Sequence, residues 1–301
     1  MKQSGNLDQR ALESARRYMG AAAWPTVVFA ALVITGYLGT LALTAAGAVP
    51  LWLAMPVVAV LTYLSYTILH ESAHGSISGA NPSLRWLNEA LGYGAAWILM
   101  IPLTAHRHEH LAHHRSTNDP DDDPDFIVAN MAKSPLGAVQ SALRVYYGQY
   151  RYYFSHRWGR GTRSQNLILC VEVIAALTPR LAFCAAGFWL EGMALLLVAW
   201  LAGLTLVLCL FAYIVHRPHR AVGRYVDTST ILVEGPLGRV VTWLWVYQNY
   251  HSIHHLFPRV PFYRYPAVFA EIEQIMVAKG APIYRLGTRG LQPRDGIGVG
   301  L

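Results

Sequence analysis

Residues 51–74 read LWLAMPVVAVLTYLSYTILHESAH, an apolar run that ends in two histidines and a glutamate. No Lys, Arg, Asp or Glu occurs between Trp24 and Leu69, which is enough chain for two membrane spans of about 20 residues each. The Gly-Ala-Val-Pro segment at 47–50 supplies a turn between them. The sequence therefore predicts a helical hairpin in the membrane that delivers the chain to a histidine-bearing polar segment at residue 70.

A second apolar stretch and the overall composition extend this prediction. The chain has 301 residues, of which 54% are hydrophobic and 14% are charged, whereas soluble proteins carry roughly 25% charged residues. Between Asn166 and Val215 the only charged residues are Glu172, Arg180 and Glu191. We therefore expect an all-α integral membrane protein. Its four transmembrane helices are predicted at about 24–46, 50–69, 166–188 and 193–215.

The net charge of +7 follows the same topology. Lys and Arg concentrate before the first span, between the second and third spans, and after the fourth, whereas the predicted turns at 44–50 and 188–193 contain none. Positive residues favour the cytoplasmic side of membrane proteins, so both termini and the histidine-rich segments are expected there. The basic charge indicates membrane topology, and no nucleic-acid partner is expected.

The polar parts of the chain are expected to form one cap on this cytoplasmic side. Two apolar segments, 90–105 and 240–250, are too short to cross a membrane and are typical of re-entrant or interfacial helices. No internal repeat divides the chain. We predict a single domain over residues 1–301, in which the segments 70–165 and 216–301 form the cytoplasmic, histidine-rich cap.

Thirteen histidines are present, and most of them are spaced so that a helix would place them on one face. Residues three or four positions apart share a helix face. This spacing occurs in the pair His70 and His74, in His110, His113 and His114, and in His251, His254 and His255. Each cluster begins near the end of an apolar segment, so all can meet at one plane. Neutral imidazole binds iron, copper, zinc and nickel, and eight histidines suit two metal ions better than one.

Two other interpretations of these histidines are open. HESAH fits the H-E-x-x-H signature of zinc peptidases, with His70 and His74 as ligands and Glu71 as the general base. That interpretation uses only two histidines and leaves both triplets unexplained. A non-enzymatic metal carrier or a membrane cytochrome would also use histidines, but haem ligands are normally paired at membrane depth.

Together the clusters resemble the three histidine boxes of the membrane fatty acid desaturase and hydroxylase superfamily. In this sequence the boxes are HESAH at 70–74, HLAHH at 110–114 and HSIHH at 251–255. The segments HHRSTNDPDDDPD, after the second box, and QNYHSIHHLFPRVPFYRYP, around the third, are similar to bacterial members. YIVHRPHR at 213–220 resembles a stretch of bacterial members that include carotenoid hydroxylases. The similarity covers most of residues 65–266.

The resemblance implies a non-haem centre of two iron ions that uses O2 and two electrons to oxidise an unactivated C–H bond of a lipid. The iron ligands that it implies are His70, His74, His110, His113, His114, His251, His254 and His255. The superfamily places one further ligand between the second and third boxes, which His216 matches, with His219 as the alternative. Acyl-CoA desaturases have an asparagine four residues before that ligand. This chain has Ala212 there and departs from that branch.

The resemblance also implies a function and its partners. Desaturation of a fatty acyl chain in the bacterial cytoplasmic membrane is the first expectation, and hydroxylation or ketolation of a carotenoid β-ionone ring is the alternative. The apolar substrate would enter from the bilayer, and an external donor such as a ferredoxin-type carrier would supply electrons. Five arginines of the cap either form the docking site of this electron carrier or only reflect the preference of positive residues for the cytoplasmic side: Arg144, Arg151, Arg157, Arg160 and Arg163.

Several polar residues near the boxes lie outside the implied ligand set. His106 and His108 lie outside the boxes, and we expect them at the surface or in loops rather than behind the metal ligands. Acceptors for the imidazole N–H groups are alternatively Asp119, Asp227, Glu234 or Glu71. The acidic run at 119–125 lacks the glycine and the terminal glutamate of an EF-hand calcium loop, so we expect a solvated loop there.

Overall fold

The computed structural model of the protein describes residues 2–294, which are mostly helical. Four helices within these residues are long and apolar enough to cross a membrane. They are α2 (Trp24–Ala45), α3 (Leu51–His74), α7 (Arg163–Ala185) and α8 (Trp189–Tyr213). The prediction of a helical membrane protein with four spans is confirmed.

Shorter helices and a small sheet complete the described residues. The helices are α1 (Lys2–Arg16), α4 (Arg85–Leu99), α5 (Leu103–Ser116), α6 (Pro135–His156), α9 (Gly238–Leu244), α10 (His251–Leu256) and α11 (Tyr265–Ala278). The strands are β1 (Thr230–Val233), β2 (Ile283–Gly287) and β3 (Gly290–Pro293). Strand β1 pairs in parallel with β2, and β2 pairs in antiparallel fashion with β3. The sequence pattern does not predict this sheet.

Helix α3 carries the first two histidines because it continues beyond the apolar run. The predicted end of this span was near residue 69, but the helix ends at His74. Gly75 follows with a φ of 70°, a left-handed conformation that ends helices and that glycine adopts without strain. Both histidines are therefore held on a rigid helix. The third and fourth spans also begin slightly earlier than predicted, at Arg163 and Trp189.

Helices α4 and α5 form a hairpin that enters the bundle and returns to the same end. Trp97, near the end of α4, lies edge-on to Tyr37 in the middle of α2, with ring centroids 6.1 Å apart. Side chains of other helices bond the carbonyl groups at this turn: Arg180 donates to Trp97 and Ile98, Trp200 to Leu99, and Tyr150 to Met100. Carbonyls at a helix end lack intrahelical partners, and lipid offers none. This is the re-entrant geometry expected for the segment 90–105.

The histidine-bearing ends of the chain meet at one end of the bundle. Helices α3 and α8 both end there, and histidines of α5 and α10 contact His74 and His70 of α3. Helix α1 packs against α11, and Asp8 forms a 2.8 Å ion pair with Lys279, the residue after α11. Ile253 of α10 and Phe211 of α8 belong to the same buried apolar cluster as α1 and α11. This packing holds α10, which carries the third set of histidines, against the membrane helices.

Candidate metal centre

All nine histidines predicted as metal ligands lie together at this end of the bundle. Eight of them form two groups. Within each group, one ring nitrogen of every histidine lies within 4.8 Å of the corresponding nitrogens of the other members. The first group comprises His70, His74, His110, His114 and His254. The second group comprises His113, His216 and His255. We call the first set the five-histidine group. The second set together with the adjoining His251 is called the four-histidine group.

The ε nitrogens of the five-histidine group converge on one point. Nε2 of His110 lies 3.0 Å from Nε2 of His74 and 3.1 Å from that of His114. Nε2 of His254 lies 2.9 Å from that of His114. Nε2 of His70 is buried without a hydrogen-bond partner. Nitrogens about 2.1 Å from a metal ion are about 3.0 Å apart when they subtend a right angle at it, so these separations fit adjacent ligands of one ion.

The four-histidine group lies beside the first. Nε2 of His113 is 3.0 Å from Nε2 of His216, and Nε2 of His255 is 3.2 Å from that of His251. The rings of His216 and His251 have centroids 4.9 Å apart. His255 also stacks on His114 of the other group at 4.3 Å, so the two groups adjoin.

The pair His113 and His216 has the chemistry of a cation site. Nδ1 of His113 lies 2.8 Å from Asp123 Oδ1, and Nδ1 of His216 lies 2.6 Å from the Ala212 carbonyl oxygen. An ionised carboxylate and a carbonyl only accept, so each Nδ1 donates and each neutral ring carries its lone pair on Nε2. When both rings are neutral, these lone pairs face each other across 3.0 Å, and either a shared proton or a metal ion between them relieves the repulsion. The residues present therefore fit a metal ion.

Further partners hold the outer nitrogens of the third box. Nδ1 of His254 contacts the Tyr265 hydroxyl at 3.1 Å, that of His251 contacts Gln248 Oε1 at 3.0 Å, and that of His255 contacts Thr117 Oγ1 at 3.3 Å. Partners of this kind fix the orientation of metal-binding imidazoles. Here they turn each Nε2 toward the centre.

Burial keeps most of these imidazoles neutral. It lowers the pKa of His251 to about 3, and it moves the pKa of His110 and of His254 well below the ordinary value. His113 differs: burial lowers its pKa, but the carboxylates of Asp123, Asp125 and Asp227 together outweigh burial, so the pKa is raised. A metal ion binds the neutral form of imidazole, which the surroundings of the other rings favour.

His219, the alternative to His216, is not part of either group. It has a φ of 61°, and its ring stacks on Tyr213 with centroids 5.0 Å apart. Ala212, where acyl-CoA desaturases carry asparagine, bonds His216 through its backbone carbonyl. Position 212 thus still contacts the ninth histidine, although its side chain has no polar group.

His106 is buried, so the expectation of a surface or loop position is wrong. Its Nδ1 lies 3.1 Å from Gln149 Oε1, and its ring stacks on His110 with centroids 5.0 Å apart. It packs against a histidine of the five-histidine group from outside. The partner Gln149 lies on α6, a contact that spacing along α5 cannot show. His108 is half-buried against Tyr153, with ring centroids 5.8 Å apart.

The carboxylate that accepts from a histidine of the two groups is that of Asp123, and the four acidic residues predicted for this role, Asp119, Asp227, Glu234 and Glu71, are placed elsewhere. The carboxylates of those four residues bind other groups. Asp119 accepts from the backbone N–H of Asp121, Asp227 accepts from the Thr228 hydroxyl, and Glu234 pairs with the guanidinium of Arg285. Glu71 accepts from the Thr26 hydroxyl and from the backbone N–H of Phe262. The solvated-loop expectation holds for Asp121 and Asp122, which are exposed, and is wrong for the buried Asp123. An aspartate-rich run after a histidine box was the available signal, but it does not show which aspartate turns inward.

An apolar cleft of about 440 Å³ opens between α4, α6 and α7. Met100 and Tyr150 stand at its inner end, and both also line a cavity that Tyr146 shares. Tyr146 in turn lines a small apolar cavity with Tyr66 and Phe211. The Tyr66 ring lies 5.7 Å from that of His70. These three cavities share wall residues, and a side chain that lines the smallest of them contacts a histidine of the five-histidine group.

Four apolar spans with two buried histidine groups at one end define a membrane protein with a metal-binding site. The model of the family described as fatty acid desaturase matches residues 46–287, which include all nine histidines. The chain belongs to this family, and it is an oxidoreductase of the desaturase type. No curated protein matches the chain. The family match and the contacts of Glu71 argue against the zinc-peptidase interpretation.

Proposed function

We propose that the protein is an O2-dependent fatty acyl desaturase in which nine histidines hold two iron ions. The five-histidine group would bind one ion and the four-histidine group the other. The observation that carries the proposal is the convergence of ε nitrogens, with five neighbouring pairs between 2.9 and 3.2 Å. Family membership supplies the oxidoreductase chemistry, and nitrogen ligands of this kind suit iron.

The proposed reaction converts a –CH2–CH2– unit of the substrate into –CH=CH–. It consumes one O2, two electrons and two protons, and it forms two molecules of water. The iron ions, when bound, supply the reduction of O2 that removes the two hydrogens. The protein's own residues orient the histidine rings, through Asp123, Gln248 and Tyr265, and keep water from the reacting carbon atoms.

The cavities support an acyl chain as the substrate. The cleft between α4, α6 and α7 is lined mainly by apolar side chains, and it lies among membrane helices. An acyl chain moving from lipid into such a cleft exchanges one apolar surrounding for another at little cost. We therefore infer that the chain enters sideways from the bilayer and passes Tyr146 and Tyr150. Tyr66 and Phe211 would then hold it beside the five-histidine group.

We also propose that residues 1–301 act as one domain with the histidine end on the cytoplasmic side. Packing of α1 on α11 joins the two ends of the chain in one unit and supports the single domain. The concentration of Lys and Arg outside the two turns at the opposite end supports the orientation. Cysteine labelling of intact cells tests it, with Ser134→Cys expected to stay unlabelled by an impermeant reagent until the membrane is opened.

The reaction is tested by expressing the protein in a bacterial host under 18O2 and analysing lipids by mass spectrometry. We expect new acyl chains that are two mass units lighter and contain no 18O. Acyl chains or carotenoids that gain 18O would identify a hydroxylase or ketolase instead, so a host making β-carotene is analysed in parallel. The variants His113→Ala and His254→Ala serve as controls, and both should insert in the membrane without changing the lipids. Peptide cleavage without any reductant would overturn the proposal.

A further inference from the structure

A polar cleft of about 420 Å³ lies on the histidine end of the molecule, separate from the apolar cleft. It is formed by the end of α5 and by the segment that precedes β1. Its walls include His114 and Arg115 of α5, Arg224 and Asp227 of the segment before β1, and His255 of α10. The cleft therefore opens directly onto one histidine from each of the two groups.

The cleft is where the histidine groups come closest to solvent. Of the nine histidines, only His74, His114 and His255 are not fully buried, and two of these three line the cleft. Nε2 of His114 and of His255 points inward, 2.9 Å from His254 and 3.2 Å from His251 respectively. Their outer ring edges therefore face the cleft. An electron arriving there has a single imidazole ring to cross, and electron transfer slows steeply with distance.

The exposed charged residues on the walls of the cleft are Arg115 and Arg224, and both are positive. The carboxylate among its lining residues belongs to Asp227, which is half-buried and accepts from Thr228. The acidic loop that begins at Asp119 follows the lining residue Thr117. Such a basic rim attracts a protein with an acidic face and orients it before contact.

We propose that this cleft is the docking site of a small acidic electron-transfer protein, a proposal that rests on the function proposed above. The carrier binds over Arg115 and Arg224 and delivers one electron through His114 or His255. A second reduced carrier delivers the second, and both carriers leave oxidised. The arginines Arg144, Arg151, Arg157, Arg160 and Arg163 lie on α6 and around the start of α7 and do not line this cleft.

The test compares two double charge reversals on the full chain in lipid nanodiscs. R115E/R224E alters the cleft, and R151E/R160E makes the same change at exposed positions outside it. Binding of a small acidic [2Fe–2S] ferredoxin is measured at low and high NaCl. We expect the unmodified chain to bind it more weakly at high salt. R115E/R224E should lose about tenfold in affinity and most of the salt dependence, while R151E/R160E should match the unmodified chain.

Further measurements separate this proposal from folding defects and from the proposed function. R115Q/R224Q should lose less affinity than R115E/R224E, and both should melt at the temperature of the unmodified chain. For this comparison the chain is reduced anaerobically with dithionite and a small mediator, the excess dithionite is removed because it consumes O2, and O2 is then admitted. The single turnover of the dithionite-reduced chain should be unchanged in R115E/R224E. Equal loss with this chemical reductant would mean that the arginines bind a substrate headgroup. Loss of ferredoxin binding only in R151E/R160E would place docking on α6 and the segment that follows it. Either result overturns the docking site, whereas a lack of turnover by the unmodified chain with dithionite refutes the proposed function instead.

Discussion

Replacing Asp123 by asparagine should weaken metal binding although Asp123 is not itself a ligand. Its Oδ1 accepts from His113 Nδ1 at 2.8 Å, and the two side chains are only 2% and 5% exposed. Its Oδ2 accepts from the Asn118 backbone N–H at 2.8 Å. Asparagine keeps the shape of the side chain but has only one oxygen. If this oxygen faces His113, the side-chain N–H of the new asparagine meets the backbone N–H of Asn118, and two donors face each other. If the oxygen faces Asn118, His113 has to move its proton to Nε2 and loses the lone pair that would bind the metal ion.

The expected loss follows from this geometry. Removal of a partner behind a metal-binding histidine typically costs 10- to 100-fold in metal affinity, which corresponds to about 1.4–2.8 kcal/mol. Asp122→Asn is the matched control, because it makes the same charge change at an exposed neighbour that has no contact with a histidine.

The assay measures iron retained per chain against chelator concentration, with circular dichroism to confirm the fold. Asp123→Asn should release iron at a chelator concentration about 10- to 100-fold lower than the unmodified chain does. Unchanged retention in Asp123→Asn, or an equal loss in Asp122→Asn, would refute the role assigned to this hydrogen bond.

Three further outcomes are expected. His216→Ala should lose about half of the bound iron, while His219→Ala should keep it, as element analysis of the purified variants can show. Arg180→Leu leaves two carbonyl groups at the end of α4 without partners, each worth about 1–3 kcal/mol, and should lower the unfolding midpoint in detergent. Ala175→Trp obstructs the apolar cleft and should reduce desaturation of long acyl chains at unchanged iron content, whereas Ile174→Trp, on the lipid-facing side of the same helix, should not.

The sequence predicts the histidine groups well because their geometry depends on local rules. Spacing of three and four residues places His110, His113 and His114 within one and a half turns of α5, whatever the rest of the chain does. The membrane spans follow from an equally local property, the length of apolar runs. Only small shifts occur, such as the extension of α3 to His74.

The contacts that support the histidines depend on parts of the chain that are distant in sequence. Gln149 reaches His106 from another helix, and Tyr265 reaches His254 from the start of α11. Asp123 is close in sequence to His113, but only the folded loop shows that it points inward while Asp122 does not. Spacing rules contain no information about such contacts.

Arg180 and the small sheet illustrate the same limit. In the sequence, Arg180 is only an interruption of an apolar stretch, whereas in the structure it bonds the carbonyls at the end of α4. Strand β1 has four residues and finds its partner only at β2, so its pairing is non-local. Short strands with distant partners leave little periodic signal in a sequence.

We propose that nine histidines of one chain hold two iron ions. Mössbauer spectroscopy of protein purified after growth on 57Fe, combined with element analysis, tests it directly. We predict two iron ions per chain, with one of the two signals lost in His216→Ala and the other in His74→Ala. A single zinc ion per chain, or an iron spectrum that neither substitution changes, would contradict the account.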